Sequence, residues 1–405
     1  MKRRTYLVTT AGVVGLAGCA GSGDDPEDDE NGDEDPNEGG DPNGDNVETD
    51  DDGTFDDFED LDAWTEVEGS LTADEDRSLV GSQSARLEAS ESDSGVMIRR
   101  EFDSPQDFSD EVPGLAVASD DLQNPIIQLT DKNGDRVDFR GRSAADMPLM
   151  RYNFGVGSID GDPDLSAISS IQIASWTGDE KEKEFWCDDL YFTPRPETGT
   201  VMVQFDYGYE TTYSEGFPVL EEYDIPATAF VNTDFVGGDS RMSQSELEEL
   251  HDAGWTIASQ SANNGDLTDT DDPSAQIESA VEWLEDNGFE DGAGYFAYPL
   301  GNFDEAAVEA AGDHHDLCFA SGYGAGGQIT NTTLCPRIGD PDPEDARELL
   351  EWTAEMNGLT TLYYHELEDD LLDSFEETMA DLSEMEADGE LEVVLPGDVE
   401  EEYVL

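Results

Sequence analysis

Between residue 54 and about residue 195, apolar residues fall in short segments, several of them alternating with polar residues, and turn-forming residues cluster between these segments. The pattern is typical of β-strands joined by tight turns, and Asp131-Lys-Asn-Gly-Asp135 predicts a hairpin. No segment of useful length in this region repeats its apolar residues at the 3.6-residue period of a helix. Residues 54–195 are therefore predicted to form an all-β sandwich. Strands are predicted at 85–89, 96–102, 115–117, 126–129, 136–139, 168–173 and 184–192.

The pattern changes after Thr193-Pro-Arg-Pro-Glu-Thr-Gly199. Short apolar runs then alternate with segments of helical period, and Ser243 followed three residues later by Glu246 is typical of a helix start. Such alternation predicts a parallel sheet or barrel with functional side chains at the C-terminal strand ends. The chain is thus predicted to be multidomain, with an α/β domain at 198–405. Strands are predicted at 200–205, 227–231, 256–259 and 294–297, and helices at 216–223, 243–253, 272–287 and 304–311.

The first 53 residues fit neither pattern. Residues 1–19 combine Arg3-Arg4, a short apolar stretch and Leu16-Ala-Gly-Cys19, which together resemble a twin-arginine export signal ending in a lipoprotein box. The resemblance implies export and a lipid on Cys19 that anchors the protein to the outer face of the cytoplasmic membrane. Residues 20–53 are nearly all Asp, Glu, Asn, Gly and Pro, a composition that predicts a disordered, extended linker.

Charge narrows the classes of partner. The 405 residues include 101 Asp and Glu against 18 Lys and Arg, which gives a net charge of -83, while hydrophobic residues make up 36%. The apolar content argues for folded cores. Salt relieves the self-repulsion of such a surface, because the Debye length falls from about 10 Å at 0.1 M to about 3 Å at 1 M. We therefore expect adaptation to high salt, and no nucleic-acid partner.

Three cysteines follow Cys19 in the sequence. Cys318 and Cys335 enclose 16 residues, so a disulfide between them is possible and would stabilise the fold by roughly 3 kcal/mol. Cys187 lies in an apolar run and is expected to be a buried, inert thiol. Neither a Cys-X-X-Cys motif nor a Cys-His cluster of the zinc-binding type occurs in the sequence.

The predicted sandwich resembles the galactose-binding-like jelly rolls that serve as carbohydrate-binding modules. The resemblance lies in Phe55-Asp-Asp-Phe-Glu59, Gly81-Ser-Gln-Ser-Ala-Arg-Leu87, Asp164-Leu-Ser-Ala-Ile168 and Phe185-Trp-Cys-Asp-Asp-Leu-Tyr-Phe192. It implies sugar rings stacked on exposed aromatic side chains. Aromatic residues in strands usually pack inward, so a core position is favoured for each aromatic candidate. No calcium ligand is assigned in this domain. The aromatic candidates are Trp64, Tyr152, Phe154 and Trp176.

Five short segments in the second domain resemble the motifs of the polysaccharide deacetylase, or NodB-homology, family. The resemblance covers residues 200–405 and implies a distorted (β/α) barrel. It also implies an acetylated polysaccharide as the partner. With the export signal and the acidic composition, the whole chain resembles an exported lipoprotein of haloarchaeal type. The segments are Gln204-Phe-Asp-Tyr-Gly-Tyr209, Ala258-Ser-Gln-Ser-Ala-Asn-Asn-Gly-Asp-Leu267, Phe296-Ala-Tyr-Pro-Leu-Gly301, Cys335-Pro-Arg-Ile338 and Leu362-Tyr-Tyr-His-Glu-Leu367.

The resemblance assigns roles position by position. Asp206 matches the family's general base, whereas the family's metal ligands, one Asp and two His, correspond to Tyr207, Gln260 and Asn264. A protonated Tyr and neutral amides bind zinc-like ions far less well than carboxylate and imidazole do. Losing the metal lowers the available hydroxide at neutral pH by about eight powers of ten, and a general base supplies only roughly 10² to 10⁴. No cofactor is therefore expected.

Other parts of the family's apparatus have counterparts here. His365 matches the general acid, and the backbone N–H of Leu300 matches an oxyanion donor. Arg337 is predicted either to orient Asp206 or to have a structural role at the surface, and Tyr298 is predicted to contact the glycan. Substitute metal ligands are conceivable, although their spacing demands no metal. These are Asp266, Asp316, His314 and His315.

Two hypotheses follow. In the favoured one, the protein binds acetylated glycans at the cell surface with little or no deacetylase activity, and one groove is lined by the base, the acid and the three replaced ligand positions. In the alternative, it is a hydrolase of carbon–nitrogen or ester bonds that removes acetyl groups, with a zinc-like metal held by relocated ligands or with metal-independent chemistry. The sequence determines neither the glycan nor the oligomeric state.

Overall fold

The computed structural model describes residues 53–176, 182–270 and 272–405. The predicted export signal, Cys19 and nearly all of the acidic linker lie outside these residues. Within the described part of the chain, no helix is both long and apolar enough to cross a membrane.

Residues 54–194 form two antiparallel sheets of six strands each. Apolar residues of both sheets pack into one shared core. An all-β N-terminal region is thus confirmed, whereas jelly-roll topology stays a prediction. The strands are β1 (Thr54–Asp56), β2 (Thr65–Glu68), β3 (Ser70–Asp74), β4 (Ser84–Ala89), β5 (Gly95–Gln106), β6 (Glu111–Ser119), β7 (Ile126–Asp131), β8 (Arg136–Arg140), β9 (Met147–Tyr152), β10 (Gly155–Asp160), β11 (Ile168–Trp176) and β12 (Lys183–Pro194).

The strand order of one sheet is β3-β4-β12-β6-β9, with β1 also paired to β12, and that of the other is β10-β8-β7-β11-β5-β2. The predicted hairpin joins β7 to β8, where Thr130 lies opposite Arg136. Asp131 accepts the backbone N–H groups of Asn133, Gly134 and Asp135, which fixes the turn.

Three of the four aromatic candidates in the sandwich are buried, as expected. Trp64 stacks on Phe58 with 5.4 Å between ring centroids, and Tyr152 and Phe154 also belong to the core. The core prediction is wrong for Trp176, which is 50% exposed at the last position of β11. At the end of its strand, this indole is only half covered by the sandwich.

Residues 199–405 form a barrel. Seven parallel strands close into a ring through pairing of the first with the second, and an eighth strand adds to the outside of the first. The strands are β13 (Gly199–Phe205), β14 (Thr228–Val231), β15 (Thr256–Ser259), β16 (Tyr295–Ala297), β17 (Leu317–Ser321), β18 (Cys335–Gly339), β19 (Leu359–Tyr364) and the added β20 (Leu391–Val393).

Helices connect the barrel strands, as the β/α alternation predicts. Ser243 and Glu246 form the predicted capping box, in which each side chain accepts the other residue's backbone N–H. The helices are α1 (Phe217–Tyr223), α2 (Gln244–Asp252), α3 (Pro273–Asp286), α4 (Glu305–Gly312), α5 (Pro343–Glu355), α6 (Asp369–Asp388) and α7 (Pro396–Glu402).

The loop between β17 and β18 attaches the barrel to the sandwich. Asn153 Oδ1 accepts the backbone N–H groups of Thr330 at 3.0 Å and Asn331 at 3.3 Å, and its Nδ2 donates to Asn331 O at 2.8 Å. Asn331 Nδ2 in turn donates to Arg151 O. Both amide groups are saturated with backbone partners, which fixes the loop against the sandwich.

The three described cysteines are buried free thiols. The disulfide considered between Cys318 and Cys335 is absent, although their strands are neighbours and Phe319 lies opposite Cys335. Cys187 is fully buried in the sandwich core, as expected, and burial raises its pKa well above the ordinary value.

Candidate functional site

The predicted site residues gather at one end of the barrel because they lie within the parallel strands or directly after them. Asp206 comes directly after β13, Gln260 after β15 and His365 after β19, while Arg337 lies within β18. Backbone hydrogen bonds hold these strand ends in register, with Asp206 N–H donating to Tyr364 O at 2.9 Å and Gln260 N–H to Val231 O at 2.9 Å. The chain's topology thus assembles the site from distant segments.

Asp206 and Arg337 form a buried bidentate pair. Arg337 Nη1 donates to Asp206 Oδ1 at 2.6 Å and Nη2 to Oδ2 at 2.8 Å, and each side chain is only 3% exposed. The alternative of a surface role for Arg337 is therefore wrong. Both carboxylate oxygens already face a cation, which fixes the orientation of Asp206.

His365 is held by Asp340, a residue that the sequence analysis missed. Asp340 Oδ2 lies 2.5 Å from His365 Nδ1, and its Oδ1 accepts the His365 backbone N–H at 3.0 Å. Burial lowers the pKa of His365, but the hydrogen bond and the charge of Asp340 outweigh it, so the pKa is raised above its usual value. The contact orients the ring and favours its protonated form.

Tyr207 occupies the centre of the site. Its backbone has a left-handed φ of 65°, and the phenol oxygen accepts the Leu300 N–H at 3.0 Å. The Tyr207 backbone N–H donates to Gln260 Oε1 at 2.6 Å, and its ring stacks on His365 with 5.4 Å between centroids. Burial raises the pKa of the phenol, so the ring is neutral at ordinary pH.

These contacts use groups that the family resemblance assigns to catalysis. The Leu300 N–H, the implied oxyanion donor, points to the Tyr207 phenol instead of an open position. Gln260, at an implied ligand position, uses its side-chain oxygen on the backbone of Tyr207. Asn264 lies in the loop after β15, where its Oδ1 is buried without a hydrogen-bond partner.

The side chains at this end of the barrel do not fit a divalent metal of the family type. The three implied positions supply a buried phenol and two amides, and the phenol and one amide oxygen already have N–H partners. Across 53–176, 182–270 and 272–405, no group of three or more His, Cys, Asp or Glu side chains is placed to hold a metal. We therefore assign no chemical step to a metal here.

The conceivable substitute ligands are engaged elsewhere. His315 is buried against Phe296, and its Nδ1 lies 3.1 Å from Ala311 O. His314 Nε2 lies 3.1 Å from Ser274 Oγ, and Asp266 accepts from Asn302 at 2.7 Å. Asp316 follows α4 and immediately precedes β17, at the opposite end of that strand from Ser321.

The prediction that Tyr298 contacts the glycan is wrong. Its side chain is fully buried, and the phenol donates to Thr333 O at 2.9 Å. The chain turns directly after this residue, and the exposed side chain at the turn is instead that of Leu300, which is 51% exposed. A buried phenol with a satisfied donor contributes packing, not recognition.

A row of side chains in contact crosses the barrel mouth, in which His365 stacks on Tyr207 and the two outer tyrosines meet their neighbours edge-on. We call this set the mouth row, and Tyr209 lies 5.9 Å from Tyr207 between ring centroids. The guanidinium carbon of Arg241 lies 4.0 Å from the Tyr209 ring, and Tyr363 lies 5.4 Å from His365. Only Tyr207 within the row is buried, so the others present partly exposed faces. In order, the mouth row is Arg241, Tyr209, Tyr207, His365 and Tyr363.

Comparisons with known proteins agree with the motif resemblance. A family model described as "Polysaccharide deacetylase" matches residues 193–315. The Bacillus subtilis protein named "Putative polysaccharide deacetylase YxkH" is 28% identical over 118 residues, which is 29% of this chain and 42% of that protein. A Staphylococcus epidermidis poly-beta-1,6-N-acetyl-D-glucosamine N-deacetylase is 35% identical over 66 residues, 15% of this chain and 23% of that enzyme.

Among solved structures, a family 4 carbohydrate esterase from Streptomyces lividans in complex with acetate aligns over 49% of this chain and 92% of its own. The TM-score is 0.36 and the identity 13%. The chain spans about two fifths of the length of YxkH and about a quarter of that of the staphylococcal enzyme. Residues 193–315 are thus similar to the polysaccharide deacetylase family.

Proposed function

We propose that the barrel binds acetylated polysaccharide and has little or no deacetylase activity. The observation that carries this proposal is the position of Tyr207, whose phenol accepts the Leu300 N–H while its ring covers His365. A transition-state oxyanion would need that N–H, so the free donor required for acyl chemistry is already occupied. The polar groups remain at the barrel mouth but are bonded to one another.

Catalysis would also require a free base. Asp206 has both oxygens hydrogen-bonded to Arg337 in a buried contact, so both oxygens of the implied base are already engaged. A general base alone accounts for roughly 10² to 10⁴ in rate, far below what a metal-bound hydroxide provides. The implied ligand positions offer no donors suited to such a metal, so neither route to a nucleophile is supported.

Binding is supported by the mouth row. Sugar rings present apolar C–H faces that pack on aromatic side chains, and the row offers two partly exposed tyrosines on either side of Tyr207 and His365. Hydroxyl and acetamido groups can pair with the polar groups that surround it. An extended surface of this kind suits a chain of sugars better than a single small molecule.

Calorimetry in molar salt with acetylated chitohexaose tests the binding part. The protein should bind, and Tyr209→Ala should weaken affinity roughly fivefold or more because an aromatic contact of about 1 kcal/mol is lost. Trp176→Ala, at an exposed indole of the sandwich, is the matched control and should change nothing. Binding lost only with Trp176→Ala would place the glycan site on the sandwich instead.

The catalytic part is tested by incubating the protein and oligosaccharide with zinc, cobalt or nickel and measuring acetate and bound metal. Acetate should not exceed the metal-only blank. Stoichiometric metal binding with acetate release would contradict the proposal and support the hydrolase. The triple variant Tyr207→Asp, Gln260→His, Asn264→His should gain cobalt binding, visible as an absorption band, if these positions correspond to the family's ligands.

We also propose that the protein is lipid-anchored at the cell surface. Support comes from Arg3-Arg4 and Leu16-Ala-Gly-Cys19 in the sequence. Expressed in a halophilic host, the protein should fractionate with membranes, and Cys19→Ser should release it into the medium. A cytoplasmic pool in both cases would contradict the proposal.

A further inference from the structure

Cationic side chains are scarce in the barrel. Residues 198–405 contain three arginines and no lysine, in a chain of net charge -83. Arg337 is paired with Asp206, and Arg347 on α5 lies 2.7 Å from Asp381 and 3.5 Å from Glu377. Two of the three barrel cations are therefore neutralised by carboxylates of the same chain.

Arg241 differs from both. Among the described residues, it has no carboxylate oxygen within 4.0 Å, and its Nη1 donates to Ser240 O at 3.2 Å. Its guanidinium carbon lies 4.0 Å from the centre of the Tyr209 ring, and a backbone bridge links Tyr209 to Arg241. The bridge and the ring hold the cation in place without neutralising it.

Arg241 places its positive charge at one end of the mouth row. Tyr209 connects Arg241 to Tyr207, and Tyr207 stacks on His365. Arg241 is half-buried, so part of its guanidinium is open to a ligand lying along the row. A sugar chain stacked on these rings would bring its substituents within reach of the arginine.

High salt limits how a charged ligand can be recognised. At about 1 M salt the Debye length is about 3 Å, so a distant field cannot select a charged ligand, whereas a direct guanidinium contact can. Guanidinium groups match carboxylate and sulfate oxygens in bidentate geometry. An arginine left without an acidic partner on so acidic a protein is suited to an acidic partner supplied by the ligand.

We infer that Arg241 binds an anionic substituent, a carboxylate or a sulfate ester, of a glycan that lies along the mouth row. The inference rests on the proposed glycan-binding function and adds the ligand class: an acetylated polysaccharide that carries acid groups, bound in preference to a neutral one. Arg241 is a specificity residue in this role and takes no part in bond cleavage.

The test compares three oligosaccharides in molar salt by calorimetry: chitohexaose, a hyaluronan hexasaccharide and sulfated chitohexaose. All contain N-acetylglucosamine, and only the last two carry acid groups. The wild type should bind at least one acidic oligosaccharide roughly fivefold or more tightly than chitohexaose, given the strength of charge-assisted contacts. Whether hyaluronan or the sulfated sugar is preferred identifies the anion.

Arg241→Gln should abolish this preference, so that the ratio of the acidic to the neutral affinity falls to about one, and Arg241→Lys should retain part of it because the charge remains. Arg347→Gln removes a barrel arginine that is paired on the helices and should leave the preference intact. Equal binding of all three sugars by the wild type, or a preference that survives in Arg241→Gln, would overturn the inference and leave the proposed function standing. Failure to bind any of the sugars would overturn both.

Discussion

Buried carboxylates in the sandwich and in the barrel have different surroundings. In the sandwich, Asp56 accepts the Phe58 N–H at 2.8 Å and the Trp64 indole at 2.9 Å in addition to pairing with Arg100. In the barrel, Asp206 directs both oxygens at one guanidinium, that of Arg337. The sandwich acid joins several segments through many donors, whereas the barrel acid depends on a single partner.

The comparison teaches that a buried acid with several donors depends less on any one contact than a buried acid with a single partner. Asp188 in the sandwich accepts the backbone N–H groups of Leu79 and Val80 and of its neighbour Asp189, so removing one donor leaves others. The two observed contacts of the Asp206 side chain both come from Arg337, so removing that residue removes both. Loss of its arginine would leave a charge buried in the barrel mouth.

The largest expected effect comes from Arg337→Met. The unpaired carboxylate of Asp206 should lower the free energy of unfolding by about 3–5 kcal/mol. Arg100→Met is the matched change in the sandwich and should cost less, about 1–3 kcal/mol, because Asp56 keeps two donors. Urea unfolding at fixed molar salt measures both.

The double variant Asp206→Asn, Arg337→Met should recover part of the loss because it removes the uncompensated charge. Equal losses for the two single variants would show that the number of donors does not distinguish the two regions.

Lowering the pH should change the stability of the two regions in opposite directions. Burial, the largest influence, lowers the pKa of His315 in the barrel to about 4, so the unfolded chain binds a proton below about pH 6.5 and the folded barrel does not until about pH 4. Stability present above pH 6.5 is therefore lost as the pH falls, by about 3 kcal/mol in total. His315→Phe should abolish this dependence, with His251→Gln as the control.

In the sandwich, burial raises the pKa of Asp56 and of Asp188. Their contribution to stability is present at low pH and is lost as the pH rises through the raised values. Hydrogen exchange followed separately in the two regions should show weakened protection in the barrel, but not in the sandwich, between pH 6.5 and 4.5. Parallel loss in both regions would contradict this assignment.

The smallest effect is expected for Tyr207→Phe. Removing the phenol oxygen takes the acceptor from the Leu300 N–H, but Leu300 is exposed and water can replace it, so the cost should be about 1 kcal/mol. Faster amide exchange at Leu300 is the specific readout. Tyr209→Phe should leave that amide unchanged, and an unaltered Leu300 rate in Tyr207→Phe would contradict the hydrogen bond.

Local pattern was sufficient to predict much of this architecture. The β/α alternation after residue 199 predicted the first four barrel strands and the first four helices to within a residue or two, because these strands are short, fully buried runs. No bounds were predicted for β17 to β20 or for α5 to α7. Five sandwich strands were not predicted. β2 contains no buried residue, so no apolar period marks it, and its existence depends on pairing with β5.

The site shows the same limit. Motif matching predicted that Asp206, Arg337 and His365 lie together at the strand ends. It did not predict the contact of Asp340 with His365, which depends on the pairing of β18 with β19. The Tyr207 contact joins residues 93 positions apart and depends on a left-handed backbone, neither of which a local pattern encodes. Tyr298 was misassigned because its motif specifies a loop and not the direction of a side chain.

The short connection between the two regions acts as a strut. Residues 195–198 join β12 to β13 and can span at most about 14 Å when extended. Arg195 Nη1 donates to Met356 O, and Pro194 O accepts the Gln328 N–H, so the sandwich end of the strut is fastened to the barrel. Together with the contacts of Asn153 and Asn331, these bonds join the sandwich to the barrel, so a polysaccharide that touched both regions would meet them at the spacing that these contacts set.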